Sequence, residues 1–390
     1  MRCGMVLCGI IGMILVFLSA CEDRIVSLGT MEGHGAFLTD DTLMVFGADR
    51  SRRDIDGKEF ACADGAPYCR RAFLASYDGS FKRKTIFQRE IRCIDLRVTA
   101  RPRSAGGFYL IAVDETWMNS GSEIQPFFHV TVSTVSSAFE ELRTVTIRSD
   151  AHQAIHAALV TGGGELYLAG FDADETLFVD RYDAETGDLA VQWHYPAEQA
   201  GRIVFFAQEA GRLHLVRHLP DRGYHYLTIG ESGAVMNALT IEDTTTFETD
   251  PSVGERSIAA LLRQDGLYWF GGDNRLYRLV PSTGTFSIET LATLNIGDLS
   301  YQRDFRFLDS DLYVMGTNDR TTRGQGCGYG EISTHETELV IEKFDASFTR
   351  LWEDRDTEGA DYRAIEVIAK KQERFFLFQK NDRVIARPVE

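Results

Sequence analysis

The sequence has few lysines and no excess of basic charge. Only 7 of its 41 basic residues are lysines, and 58 Asp and Glu side chains give a formal net charge of -17. Nucleic-acid binders gain affinity when a basic face displaces phosphate counterions, so this chain is not a general nucleic-acid binder. Disorder is also excluded, because 44% of the residues are hydrophobic and 11% aromatic, enough for a large core.

The sequence also lacks the short motifs of common catalytic and nucleotide sites. It contains no G-x-S-x-G, no P-loop and no glycine-rich fingerprint between a strand and a helix. Gly162-Gly163-Gly164 is a predicted hairpin turn. No helical period of useful length follows the first twenty residues, which favours an all-β fold.

One apolar run stands at the start of the sequence. Arg2 precedes an uncharged stretch from Met5 to Leu18, which has the length of a secretory leader and is shorter than a membrane span. The run ends in Leu18-Ser19-Ala20-Cys21, which resembles the lipobox of bacterial lipoproteins. That resemblance implies a signal peptide over 1–20, a lipid on Cys21 and a single domain over 21–390. An ordinary signal peptide with a chance cysteine is the alternative.

The composition of the mature chain bears on its location. Residues 1–20 contain Arg2 and no acid, so their removal makes the charge one unit more negative than -17. An acidic body on a lipid anchor is repelled by anionic headgroups. Glu22 stands where an aspartate typically retains bacterial lipoproteins in the inner membrane. We therefore expect an exported, lipid-anchored envelope protein, in the outer membrane if the host has two membranes.

Four cysteines other than Cys21 remain in the mature chain, at positions 62, 69, 93 and 327. An even number in an exported protein favours disulfides. Cys62 and Cys69 bracket a turn-rich stretch, and we expect them to pair. Zinc is the competing interpretation, but the spacing is not C-x-x-C and no histidine is near in sequence.

Three other stretches match metal motifs in part. His152 and His156 have the spacing of a helical zinc pair, but they run into a predicted strand, and Gln153 replaces the glutamate of zinc proteases. The stretches 54–57 and 172–175 each match part of a calcium loop without completing it. We therefore predict no metal and read both stretches as solvated turns.

A pattern of a turn, an apolar residue, an aromatic residue and an apolar run recurs seven times. The copies begin at Leu43, Phe108, Leu166, Leu213, Leu267, Leu312 and Phe375. Their separations of 65, 58, 47, 54, 45 and 63 residues suit four-stranded blades with variable loops. The sequence thus predicts an all-β, seven-bladed β-propeller. A β-sandwich or several small β-domains is the alternative.

The seventh repeat supplies only three strands of its own, the third within 382–390. The segment Arg24 to Met31 precedes the first repeat and has no other role in the pattern. Its pairing as the outer strand of the last blade would close the ring and remove two exposed strand edges. It would also place Cys21 beside the C-terminal blade.

The stretch from Gly164 to Trp193, with the turn Asp183-Ala184-Glu185-Thr186-Gly187, resembles the repeat of pyrroloquinoline-quinone-like propellers. The resemblance implies structural roles: a turn that needs Asp and Gly, and a tryptophan packed between blades. Propeller lipoproteins of this type include an outer-membrane assembly scaffold that binds protein partners. Quinoprotein dehydrogenases hold their quinone through a vicinal disulfide and calcium. This chain has no adjacent cysteines, so no cofactor is expected.

A basic or ionisable residue stands near the predicted start of the innermost strand of each repeat. These residues are His34, Arg92, His156, Arg202, Arg256, Arg303 and Arg363. Innermost strands begin at one mouth of a propeller channel, so the side chains could bind a carboxylate, a phosphate or a sulfated sugar. Local pairing with neighbouring acids, among them Glu90, Glu255, Asp304 and Asp361, is the alternative.

We expect a non-enzymatic envelope lipoprotein whose propeller loops bind an envelope protein. The long segments 50–71, 119–126 and 318–337 are the expected contact loops. The alternative is binding or cleavage of an anionic glycan at the Arg and His mouth. Its candidate aromatic platforms are Trp117, Tyr224 and Tyr301.

Overall fold

A computed structural model describes the chain over residues 26–30, 32–40, 42–49, 69–91, 93, 95–120, 123–148, 154–196, 201–219, 223–241, 260–263, 265–270, 275–282, 285–293, 301–325, 331–360, 362–370, 373–381 and 383–388. All regular structure in these ranges is β-strand. The 28 strands form seven four-stranded antiparallel sheets arranged in a ring. Over the same ranges, no helix has the length and hydrophobicity needed to cross a membrane.

The strands are numbered along the chain, and each blade is listed from its inner to its outer strand. The first three blades are β2 (Glu32–Thr39), β3 (Thr42–Ala48), β4 (Arg70–Tyr77) and β5 (Arg83–Ile91); β6 (Asp95–Pro102), β7 (Phe108–Ser120), β8 (Glu123–Val135) and β9 (Glu141–Arg148); and β10 (Ala154–Val160), β11 (Glu165–Phe171), β12 (Leu177–Asp183) and β13 (Leu189–Tyr195).

The other four blades follow the same order. They are β14 (Arg202–Glu209), β15 (Arg212–Leu219), β16 (Gly223–Ile229) and β17 (Val235–Ile241); β18 (Ala260–Arg263), β19 (Gly266–Phe270), β20 (Arg275–Ser282) and β21 (Thr285–Thr293); β22 (Tyr301–Leu308), β23 (Asp311–Gln325), β24 (Glu331–Phe344) and β25 (Arg350–Ala360); and β26 (Tyr362–Lys370), β27 (Glu373–Lys380), β28 (Arg383–Pro388) and β1 (Val26–Thr30).

The N-terminal strand closes the ring, as the sequence predicted. β1 pairs antiparallel with β28, from Val26 opposite Ala386 to Thr30 opposite Arg383. Leu28 packs into the core shared by blades 7 and 1. The strand is tied further to blade 1, because the Tyr77 hydroxyl donates a 2.7 Å hydrogen bond to the Leu28 carbonyl. The seven-bladed architecture and its closure are confirmed.

The core lies between the blades. Each hydrophobic cluster contains side chains from two neighbouring blades, so the sheets pack face to face around the ring. Strands β3 and β11 are buried on nearly every residue. This explains why the repeats read as continuous apolar runs, since a strand covered on both faces has no solvent side to alternate with.

The ring has two faces with different connections. On one, here called the turn face, short turns join inner to second strands and third to outer strands. On the other, the arm face, second strands connect to third strands and each blade connects to the next. Inner strands begin on the arm face, and second strands end there.

Two second-to-third hairpins extend beyond their blades on the arm face. In blade 2, β6 pairs with β7 only as far as Glu115, and β9 pairs with β8 only as far as His129. Residues 116–120 and 123–127 therefore pair only with each other, and we call them arm 1. In blade 6, residues 320–325 and 331–336 likewise pair only with each other, and we call them arm 2.

The arms correct part of the sequence prediction. Segments 119–126 and 318–337 were expected to be loops, but most of their described residues are paired strand. Glycine, serine and proline in these segments resemble loop composition. Cross-strand pairing nevertheless satisfies their backbone hydrogen-bonding groups, which is what makes a hairpin of such residues possible.

Candidate functional site

The structure describes some of the predicted mouth residues more fully than others. The side chains of His34, His156 and Arg202 are described. Arg303 lies on β22 and Arg363 on β26, but their side chains are outside the description, and Arg92 and Arg256 are outside it entirely. The seven-residue site therefore stays a prediction, and the described members show what part of it can do.

The two histidines occupy equivalent places on inner strands. The pairing register of β2 shifts between Gly33 and Gly35, and that of β10 shifts between Ile155 and Ala157. His34 and His156 are the extra residues of these bulges, and a bulge re-aims the side chain that it carries.

Each bulge histidine accepts a hydrogen bond from the next blade. The N–H of Val98 donates to Nδ1 of His34 at 2.9 Å, and the N–H of Ile203 donates to Nδ1 of His156 at 3.4 Å. Both donors lie on the inner strand of the following blade. The histidines thus fasten neighbouring inner strands to each other at the mouth.

His156 is neutral at pH 7. Burial lowers its pKa to about 4, and the positive charges of Arg97 and Arg202 add to the effect. The neutral ring is also what the contact with Ile203 requires, because a protonated imidazole has no acceptor nitrogen. Positive charge around His156 therefore comes from the two arginines that flank it.

Arg97 was not among the predicted mouth residues. Its Nη1 donates to the carbonyl oxygen of His156 at 2.7 Å, and its Nη2 donates to that of Ile155 at 2.8 Å, so it bridges blades 2 and 3.

Register explains why Arg97 belongs with the predicted set. It precedes Val98 as Arg202 precedes Ile203, and both following residues donate to a bulge histidine. Counting back from the second strand would have selected Arg97 in blade 2, because Arg97 lies opposite Val113 and Arg202 lies opposite His218.

Arg202 is half-buried at the start of β14. Burial is the main cause of the lowered pKa values of His156 and His218, and the positive charge of Arg202 lowers both further. The guanidinium of Arg202 therefore lies close to both rings. Within the part of the chain that the structure describes, Arg202 forms no ion pair with an acid. The local-pairing alternative is therefore not seen for this arginine.

A second arginine lies at the same end of blade 4. Arg217 is only 7% exposed, and its Nε donates to Nδ1 of His225 at 3.0 Å. Burial, followed by the charge of Arg217, lowers the pKa of His225 to about 4.

Six residues of blades 2, 3 and 4 thus lie at the arm-face ends of their strands, with Arg217 and His225 on the opposite face of the blade 4 sheet from Arg202 and His218. We call them the Arg/His cluster: Arg97, His156, Arg202, Arg217, His218 and His225. Burial lowers the pKa of each of its three histidines, so its positive charge is carried by arginine.

Tyr224 is not an open platform for a sugar ring. It is 1% exposed and packs in the core shared by blades 4 and 5, with its ring 4.9 Å from that of His218. The side chains of the other two predicted platforms, Trp117 and Tyr301, lie outside the description. A buried ring cannot stack on a ligand, so Tyr224 is corrected to a core residue.

The repeat has a recurrent polar position, seven residues from its start, that the prediction missed. The seventh residue of each repeat is Asp or Asn in six of the seven: Asp49, Asp114, Asp172, Asp273, Asn318 and Asn381. Two of these acids face histidines, since Asp114 Oδ2 is 3.2 Å from His129 Nδ1 and Asp172 Oδ2 is 3.2 Å from His194 Nδ1. Aligning the repeats residue by residue would have revealed the position.

The predicted metal and cysteine features are only partly within the description. Over the described ranges, no three His, Cys, Asp or Glu residues are grouped as metal ligands. In the turn 172–175, Asp174 Oδ1 accepts the N–H of Thr176 at 3.2 Å. Cys69 is buried just before β4, and the Cys93 thiol donates to the Ile91 carbonyl at 3.8 Å. Cys21, Cys62, Cys327, His152 and residues 54–57 are outside the described ranges, so the pairing of Cys62 with Cys69 stays a prediction.

Comparison with known proteins supports the fold and goes no further. No protein-family model and no curated protein matches the sequence. Among solved structures, Sqt1 of Saccharomyces cerevisiae is 11% identical, with a TM-score of 0.50 over 94% of this chain and 98% of that one.

Two other solved structures also match. A member of the DUF4221 family from Bacteroides vulgatus is 9% identical, with a TM-score of 0.43 over 76% of this chain and 98% of that one. BBS1N, solved in complex with ARL6DN, is 7% identical, with a TM-score of 0.49 over 94% of each chain. At such identities, structural likeness carries no information on activity.

Proposed function

We propose that this protein is a lipid-anchored protein of the bacterial cell envelope that binds a protein partner through the arm face of its propeller and catalyses no reaction. The observation that carries the proposal is the placement of the long connections. Arm 1, arm 2 and the connection between β3 and β4 all leave the ring on the same face. Rigid blades that present long segments together are typical of binding scaffolds.

These segments are also neighbours around the ring. They belong to blades 6, 1 and 2, with only blade 7 between the first and the second. The second-to-third turn of blade 7 is short, and a recess lined by Lys380, Asn381, Arg383 and Ile385 lies there. A partner bound to this arc would contact blade 7 together with the longer second-to-third connections of blades 6 and 1.

The arms offer a definite mode of contact. Beyond Thr317, β23 has no described strand on its other side, and β24 has none from Glu331 to Glu336. Backbone N–H and C=O groups along such an edge can pair with an extended segment of another protein.

The direction of β1 supports the proposed orientation. Thr30 lies opposite Arg383 at the arm face, so the strand enters from the turn face at Val26. Val26 is five positions after Cys21 in the sequence, a reach of at most about 18 Å. A lipid on Cys21 would therefore hold the turn face towards the membrane and leave the arm face pointing away from it.

The test is chemical crosslinking of the full-length protein in the membranes of its native host, followed by mass spectrometry. Two variants replace residues 117–126, or residues 320–336, by Asn-Gly. We expect one abundant protein adduct that is reduced in one or both variants. The matched control is Leu142→Ala, a change to an exposed residue on the outer strand of blade 2, which should leave the adduct unchanged.

Two results would contradict the proposal. One is an adduct pattern that neither arm replacement alters. The other concerns the anchor: Cys21→Ser should move the protein from the membrane fraction to the soluble fraction, and its retention in the membrane would overturn the lipid assignment.

A further inference from the structure

Blade 4 departs from the other blades at two positions on the arm face. The fifth residue of the repeat is glycine or alanine in five blades and Gln379 in blade 7, but Arg217 in blade 4. The seventh residue is Asp or Asn in the other six blades, but Leu219 in blade 4. The same blade thus gains a cation and loses a polar or acidic group at one end of one strand.

The first departure is structurally demanding. At the equivalent position of blade 3, a Cβ added to Gly170 would lie 1.9 Å from the carbonyl oxygen of Ala154. In blade 4 a full arginine side chain is accommodated, and it is held by its contact with His225. Burying a guanidinium costs free energy unless it is well paired, so its presence in a core-lining position calls for a role.

The second departure changes the charge around Arg202. Leu219 is buried at the end of β15. The corresponding residues of blades 2 and 3, Asp114 and Asp172, are acids that lie against histidines. In blade 4 no acid occupies this position, so the arm-face end of β15 lacks the negative charge that Asp114 and Asp172 bring to blades 2 and 3.

We propose that the arm-face end of blade 4 binds a small oxyanion, such as a carboxylate or a sulfate group, with Arg202 as its principal ligand. Arg97, held by the carbonyls of Ile155 and His156, contributes positive charge beside it, whereas Arg217 lies on the opposite face of the same sheet end. The inference goes beyond the protein-binding function and does not depend on it. It selects, from the predicted alternative, the chemistry by which an anionic sugar would be recognised.

The physical case rests on local charge in an acidic protein. With a formal net charge of -17, the molecule as a whole repels anions. Retention of an anion therefore requires a local group of cations. Arg97 and Arg202, both near His156, supply that group. The half-buried guanidinium of Arg202 can donate two parallel hydrogen bonds to an oxyanion and loses less to solvent screening than an exposed one.

The test is isothermal titration calorimetry of the full-length protein in detergent with sodium glucuronate and with sodium sulfate. Sodium chloride keeps the ionic strength constant throughout. We expect saturable binding of at least one anion, weakened about tenfold or more in Arg202→Gln, the loss expected for a forked, charge-assisted contact. Arg202→Lys should bind with intermediate affinity, because it keeps the charge and loses the fork.

Arg212→Gln is the matched control. Arg212 is an exposed arginine at the turn-face end of the same blade, so its replacement changes net charge equally without touching the site. Binding of glucuronate alone would identify a carboxylate ligand, and binding of sulfate alone a sulfated one. The proposal is overturned if neither anion binds saturably, if Arg202→Gln binds as tightly as the unaltered protein, or if both Gln variants weaken binding equally.

Discussion

The two faces of the ring are built by different rules. On the turn face, short turns of defined geometry recur from blade to blade. In the turn after β12, Asp183 Oδ1 accepts the N–H groups of Glu185 and Thr186 at 2.7 and 2.9 Å, and Gly187 has a φ of 76°. On the arm face, connections range from the short turn of blade 3 to the long segments of blades 1, 2 and 6. The turn face thus keeps short connections in every blade, whereas the arm face carries connections of different lengths.

A recurrent phenylalanine shows how the turn face contributes to stability. Phe81, Phe139 and Phe348 end equivalent turns with φ values of 59°, 64° and 59°, a conformation that costs energy for a bulky residue. Each ring packs on a core cluster, and that of Phe81 lies 4.6 Å from the ring of Phe375 in blade 7. The strain is offset by contacts that join one blade to the next.

The largest effect should come from weakening the closure that both faces depend on. Leu28→Ala removes a side chain that is 4% exposed between blades 7 and 1, and it should lower the free energy of unfolding by about 2–4 kcal/mol. Urea denaturation measures the change. Leu142→Ala, at a site 58% exposed, should cost less than about 0.5 kcal/mol. Equal losses in the two variants would mean that β1 does not carry the closure.

A glycine pair tests how tightly the turn face is packed. Gly233 has a φ of 81°, and an added Cβ would lie 2.2 Å from the ring of Trp193. Gly233→Ala should therefore lower the free energy of unfolding by about 2–3 kcal/mol, from strain and overpacking together. Gly106 has a φ of 88° and nothing within 4 Å of the added atom, so Gly106→Ala carries the strain alone, about 1 kcal/mol. Equal costs would show that the contact with Trp193 is readily relaxed.

Two aspartates of blade 3 should respond to pH in opposite directions. Asp180 is 2% exposed on β12, and burial is the main cause of its raised pKa. This carboxyl group binds a proton more readily in the folded protein than in the unfolded chain, so its ionised form destabilises the fold at neutral pH. That penalty disappears as pH falls through the raised pKa. Asp180→Asn should therefore raise the free energy of unfolding at pH 7, with the gain shrinking as pH falls towards the ordinary pKa of aspartate.

Asp174, in an exposed arm-face turn, should change the free energy of unfolding in the opposite direction to Asp180. Its hydrogen bonds with Thr176 lower its pKa, so its contribution is present above the ordinary pKa of aspartate and is lost as pH falls through the lowered value. Asp174→Asn should slightly lower the free energy of unfolding at pH 7. Denaturation curves at several pH values test both variants, and the same sign for both would contradict the assignment.

The smallest effect on stability should come from the arms. Replacement of residues 117–126 by Asn-Gly removes strand that pairs only with itself, so the free energy of unfolding should change by less than about 0.5 kcal/mol. Thermal and urea denaturation of the variant measure this. A loss as large as that expected for Gly233→Ala would show that arm 1 contributes to the core of the ring.

The fold was accessible from sequence because its signal is repeated. Seven copies of one apolar strand at blade-sized spacing, and a spare segment before the first copy, were enough to predict the ring and its closing strand. The arms were missed since nothing in local composition distinguishes a paired hairpin of Gly, Ser and Pro from a loop. Pairing between distant strands decides that point, and it becomes visible only in the register.

The candidate site was less accessible for a related reason. His34 and His156 were selected by their nearness to strand starts, yet each lies in a bulge, which adds one residue to its strand. Counting from strand starts therefore loses register from blade to blade. Counting from the second strand keeps it, and places Arg97 with Arg202. The polar residues shared by the seventh repeat position became visible only with the same alignment.

The closing strand also sets the order in which the molecule can be completed. Each blade from the first to the sixth is built from consecutive strands, so it can form as soon as its own segment is available. Blade 7 cannot, because its outer strand comes from the beginning of the sequence and the rest from the end. Until β28 is present, β1 has no partner and the ring is an open arc with two exposed edges. A product truncated within blade 7 would remain an open arc, and its two unpaired strand edges would favour aggregation.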